Sequence, residues 1–96
     1  MEITPVSRSS IFTCFNALRP YVREGKLDRD RVNRGLGIAM HRPEYIVAKF
    51  QEYKVDENMC WCDDMYYRGD RYTCKHLIAR ALLVNAMKLD QERRVR

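Results

Sequence analysis

The residues of this chain best suited to chemistry are Cys60 and Cys62, followed by Cys74 and His76. They form a C-x-C pair and a C-x-H pair separated by the eleven residues Asp63 to Thr73. Zinc(II) in a structural site takes four tetrahedral ligands of thiolate and imidazole type, and three cysteines with one histidine are among its standard sets. If Cys60 and Cys62 lie on a strand, both project to one side and can reach a single ion, while Trp61 points away. Cys74 and His76 open an apolar-periodic segment, where the free N–H groups of a helix start favour a thiolate. Three thiolates around a dication leave a charge of about −1, which Lys75, Arg68 and Arg71 are placed to offset. The plainer alternative is that the cysteines are small buried hydrophobes and His76 a hydrogen-bonded core residue.

Two competing chemistries carry less. Cys60 and Cys62 are too close to bridge each other comfortably, and Met1 to Arg8 lack the basic patch and apolar run of a secretory signal, so metal ligation is expected over disulfides. Asp63 and Asp64 offer hard ligands or a carboxylate pair. Four protein donors already close a zinc sphere, however, whereas a catalytic zinc keeps one position for water. No nucleophile with a base and no phosphate loop can be assembled from the two histidines and scattered carboxylates, so no enzymatic activity is expected. Cys14 and His41 stand alone and read as core packing and as a surface or capping residue.

The elements that must position the four donors follow from pattern. Ile11, Phe15, Leu18 and Val22 recur at helical intervals after Thr4-Pro5, with Pro20 expected to break or kink the helix. Asp28 is an N-cap and Leu27 can staple onto Val32, starting a second helix whose face is Val32, Leu36, Ala39 and Met40 and which stops before Pro43. Gly35 and Gly37 weaken it or permit close packing. Tyr45, Ile46, Val47 and Phe50, then Tyr53 and Val55, are β-branched and aromatic, and predict two short strands. Asp56-Glu57-Asn58 reads as a turn into a third strand, Met59 to Cys62. Thr73 is the expected N-cap of a last helix from Cys74 to about Leu89, apolar over half its circumference and so buried on two sides.

The expected fold is therefore α+β: N-terminal helices over residues 1–44, a small antiparallel β meander with a zinc-anchored C-terminal helix over 45–90, and a flexible basic tail at 91–96. With 96 residues the core is small, so a single bound Zn2+ would matter to stability. A composition 46% hydrophobic and 32% charged belongs to an ordered globular chain, and the Leu77 to Leu89 stretch is too short and too interrupted to span a bilayer. An intracellular location is expected, with no membrane contact.

The segments Met59-Cys-Trp-Cys-Asp-Asp and Thr73-Cys-Lys-His-Leu-Ile-Ala resemble the SWIM-type zinc finger, whose signature is C-x-C, a variable loop and C-x-H. The resemblance covers about residues 45 to 89 and takes in Tyr53-Lys-Val55 as an upstream strand; Arg31 to His41 look like the helix preceding the finger in short archaeal members. It implies a ββα module that binds rather than catalyses, in settings such as Swi/Snf-type ATPases, Mutator-type transposases, ubiquitin-ligase-associated proteins and partners of recombinase paralogues. No ATPase, transposase or kinase portion is present, so those activities do not transfer.

The net charge of +5 is spread through both halves among interleaved acids, and favours an acidic partner. A nucleic-acid module, with DNA preferred to RNA, or a partner of a DNA-processing protein, would use Arg31 and Arg34 on the middle helix, with Lys75, Arg68 and Arg71 around the finger. Tyr66 and Tyr67 could stack on unpaired bases, or could instead cover the metal site. Asp28 and Asp30 partly neutralise the arginines of the middle helix, and no helix carries a base-reading set of Arg, Asn and Gln. The alternative function is a protein-interaction adaptor or homo-oligomer that uses apolar helix surfaces.

Overall fold

The protein is described here by a computed structural model over residues 6–56, 59–62 and 73–95. Among the described residues five helices follow in order: α1 Arg8–Ala17, α2 Arg19–Arg23, α3 Arg29–Ala39, α4 Pro43–Glu52 and α5 Lys75–Val95. Helix α5 lies against both α3 and α1, and α1 also meets α3. The core between them joins Ile11, Val32, Ile38 and Ala39 to Ile46 and Phe50 of α4 and to Ile78, Leu82, Leu83 and Ala86 of α5.

The expected β meander is not found: among the described residues there is no strand, and all the regular structure there is helical. The segment expected to hold the first two strands is α4. A spacing of four puts Ile46 and Phe50 on one face under either period, so their burial does not separate strand from helix. The ends of the segment decide. Pro43 sits in the first turn, where its fixed φ suits a helix and its missing N–H costs nothing; Glu44 lies in that turn and Lys49 in the last, both complementing the helix dipole. Pro43 therefore begins α4, with Arg42 before it in extended backbone. At the other end Val55 N–H donates to Phe50 O at 2.9 Å and Lys54 N–H to Gln51 O at 3.3 Å, a Schellman closure with Lys54 left-handed at φ 47°.

The expected third strand, Met59 to Cys62, is irregular chain. Trp61 N–H donates to Tyr53 O at 2.8 Å and Asp56 N–H to Met59 O at 2.9 Å, which folds the segment back on the end of α4 without forming a sheet. Met59 N–H also donates to the Asp56 carboxylate at 2.7 Å, an Asx-type turn. Glu57 and Asn58 of the expected turn, like Thr4-Pro5, lie outside the described residues.

Other elements follow the pattern closely. Asp28 caps α3, its carboxylate accepting from Arg31 N–H at 3.1 Å, and Leu27 and Val32 share the core. The chain breaks at Leu18, and Pro20 stands in the first turn of α2. Helix α5 is buried on two sides, but by α1 and α3 rather than by a sheet, and it runs past Leu89 to Val95. Its far end is tied to the start of α1. The Asp90 carboxylate accepts from Ser7 N–H at 2.9 Å, from the Ser7 hydroxyl at 2.8 Å and from the buried Ser10 hydroxyl. These donors hold the Asp90 pKa down to about 2. No described helix is long and apolar enough to cross a membrane.

Candidate metal centre

Cys60, Cys62, Cys74 and His76 are all buried, and their donor atoms lie within 4.8 Å of one another. The irregular segment after α4 delivers the first two, and its alternation buries Cys60 and Cys62 while Trp61 stands 70% exposed. The start of α5 delivers the other two. Cys74, not Thr73, occupies the N-cap position: its carbonyl accepts from Ile78 N–H at 3.1 Å, and its Sγ accepts from Leu77 N–H at 3.5 Å. The thiol thus replaces the hydroxyl of an ordinary cap, so its aim toward the other donors is set by the helix itself.

Tyr53, Val55 and Leu77 pack around the three cysteines. The Tyr53 ring lies 4.5 Å from the His76 ring at 35°, and Lys49 Nζ stands 5.7 Å from the centroid of Tyr53 and equally far from Tyr45. Tyr45 and Lys49 on α4, flanked by His41 before it and Tyr53 at its C-cap, therefore form a row at spacings of four that ends on His76. Tyr53 was legible in the sequence only as a strand residue; the spacing of four from Lys49 is the signal that could have placed it beside the site.

The electrostatics of the group favour a cation. Burial pushes the Cys60 thiol well above the ordinary range, and the neighbouring Cys74 adds to this. Cys74 is also raised by burial, which outweighs the opposing hydrogen bond from Leu77 N–H. The N–H groups of the helix start thus act in favour of the thiolate, as their position implies, while burial acts against it. A bound dication would reverse the balance by supplying the charge that burial withholds.

The donor set fits one metal ion. Cys60 Sγ lies 3.6 Å from His76 Nδ1. A tetrahedron with metal–sulfur bonds of about 2.3 Å and metal–nitrogen bonds of about 2.0–2.1 Å has an S···N edge of about 3.6 Å. Its S···S edge is about 3.8 Å, so the widest separation in the group has about 1 Å to close, within reach of thiol rotation.

The other expected contact residues are less concentrated. Arg31 is held by Asp28 at 3.3 Å with its side chain 14% exposed, whereas Arg34 is exposed on α3. Lys75 is half-buried between two donors. Tyr66, Tyr67, Arg68 and Arg71, with Asp63 and Asp64, lie outside the described residues. Cys14 is half-buried against the core with its thiol raised by burial and then by Asp90; His41 is exposed and stacks on Tyr45 at 4.2 Å. The chain matches no protein-family model, no curated protein and no solved structure.

Proposed function

We propose that this chain is a non-catalytic binding module stabilised by one zinc ion on Cys60, Cys62, Cys74 and His76, with nucleic acid, DNA before RNA, or a DNA-processing protein as its partner. The observation that carries this is the burial of four soft and imidazole donors in one group. A zinc ion there has its sphere filled by protein, which suits a fold determinant and leaves no position for an activated water. The donor order, C-x-C and then C-x-H, is the feature on which the SWIM-type resemblance rests.

The partner is argued from what the fold consumes. The apolar face of α5, which could have served an adaptor, is spent on α1 and α3. The exposed surface keeps Arg19, Arg23, Arg29, Arg34 and Arg42. A protein contact is favoured by one feature, the exposed Trp61 and Met59 beside the donors. Salt titration of binding to single- and double-stranded DNA, with the zinc-loaded protein and its mass in solution, separates the two. A nucleic-acid binder loses affinity linearly in log salt, whereas an apolar interface tolerates salt. Absence of binding to DNA and RNA at low salt would refute the nucleic-acid function.

A further inference from the structure

The short α2 and the turn after it leave a cleft of about 340 Å³ beneath α1 and α3. Its floor is Phe15, Val22 and Val32, and its rim is Arg19, Arg23 and Arg29 with Asn33. Arg19 and Arg23 stand one turn apart on α2, Arg29 opens α3, and all three are exposed.

The carboxylates of the intervening turn are engaged elsewhere. Glu24 pairs with Lys26 at 3.1 Å, and Asp28 caps α3 and pairs with Arg31 at 3.3 Å. Asp30, beside Arg29 in sequence, does not line the cleft. Among the described residues no carboxylate lines it, and none of its three arginines is ion-paired.

An apolar floor alone would accept any hydrophobe, and a cationic rim alone any phosphate. Together they select a ligand that is flat and apolar at its middle and anionic at its edges. All three cations are guanidiniums, whose planar fork matches phosphate oxygens. Phe15 supplies an aromatic face and Asn33 an amide able to meet a base edge. The volume is at the low end of the range of about 300–1,000 Å³ for small-ligand sites, and it lacks the length over which an amphipathic helix sets successive anchors.

We propose that this cleft takes one unpaired nucleotide of a nucleic-acid single strand, its base against Phe15 and its flanking phosphates on Arg19, Arg23 and Arg29. The assignment rests on the nucleic-acid function above and adds a site that includes none of the four metal donors. Single strands are preferred to duplex, because only an unstacked base can enter.

The test compares two charge-matched triple variants of the full zinc-loaded chain by anisotropy of a labelled deoxyadenosine strand. Arg19→Glu, Arg23→Glu and Arg29→Glu together are expected to lower affinity at least about a hundredfold at low salt, and Arg8→Glu, Lys54→Glu and Lys88→Glu together, at exposed cations away from the cleft, about tenfold or less. Phe15→Leu keeps the apolar bulk and is expected to weaken binding about fivefold or more through lost stacking, with its melting temperature checked alongside. Equal losses in the two triple variants, or unchanged affinity in a folded Phe15→Leu, would overturn the cleft and leave general nucleic-acid binding standing. Binding of free adenosine monophosphate, or of an acidic peptide, as tightly as the strand would also overturn it. A wild-type protein that binds no strand at low salt removes both proposals.

Discussion

Replacing Gly35 by alanine is expected to destabilise the protein, although alanine is the better helix former. A Cβ built at Gly35 would stand 2.7 Å from Ile78 Cγ2, 2.9 Å from Ile78 Cβ and 3.0 Å from the Lys75 carbonyl oxygen. Ile78 is 3% exposed and β-branched, so its χ1 has little room to turn, and the Lys75 carbonyl is backbone. Relief requires α3 and α5 to part by a few tenths of an ångström. Overpacking of this kind costs about 1–3 kcal/mol, against a gain of about 1 kcal/mol from glycine to alanine in a helix interior. The difference spans about 0–2 kcal/mol and centres on a loss of about 1, which at about 4–8 °C per kcal/mol for a domain of this size is readily measured. Gly37 is the internal control. A methyl group added there would find nothing within 4 Å, the residue is exposed, and Gly37→Ala should stabilise by about 0.5–1 kcal/mol. The assay is thermal unfolding of the metal-loaded proteins followed by helical circular dichroism. Lys75 lies between Cys74 and His76, so Gly35→Ala should also weaken metal retention against a chelator, while Gly37→Ala should not. A Gly35→Ala protein melting at or above the wild type, or shifts of the same sign in both variants, would refute this account of the α3–α5 contact.

Three further outcomes are expected. Chelation, or Cys74→Ser, should lower the melting temperature and release the 59–62 segment first, because the cysteines form an apolar cluster separate from the helical core; cobalt(II) titration should give tetrahedral thiolate bands in the wild type that lose intensity in the variant. Lys54→Gly should raise stability by about 0.5–1 kcal/mol in urea unfolding, since it removes a left-handed side-chain penalty of about 1–2 kcal/mol and returns part of it as chain entropy. Asp90→Asn should destabilise at neutral pH. The folded carboxyl titrates near 2 and an unfolded one near 4, so the stability it contributes is present above about pH 4 and is lost as pH falls through 2. The difference between Asp90→Asn and wild type should shrink over that window, which paired melts at each pH would show.

Much of the helical frame and all four donors were legible in the chain. Asp28 has one good use before an apolar-periodic run, and it caps α3. The donors were legible because ligand chemistry admits few residue types and their spacing is local. What was misread was α4. Tyr45, Ile46, Val47 and Phe50 have β-forming side chains, and a spacing of four satisfies both periods, so composition favoured strands; the helix is decided by Pro43 at its start and the closure at Lys54. The cleft rimmed by Arg19 and Arg23 was equally invisible, since only the fold sets Arg29 across from them and turns Glu24 and Asp28 toward other cations.

By itself, then, the sequence determined the candidate donor set for a metal, the cap at Asp28, the break near Pro20 and the two-sided apolar burden of the last helix, all properties of residues close in the chain. Only the tertiary structure decided what fills those two sides, how closely α3 approaches α5 at Gly35, that Asp90 ties the end of the chain to its beginning, and that no sheet carries the cysteines. These depend on contacts between residues far apart in sequence, where burial and close approach outweigh local conformational preferences of a kcal/mol or less per residue.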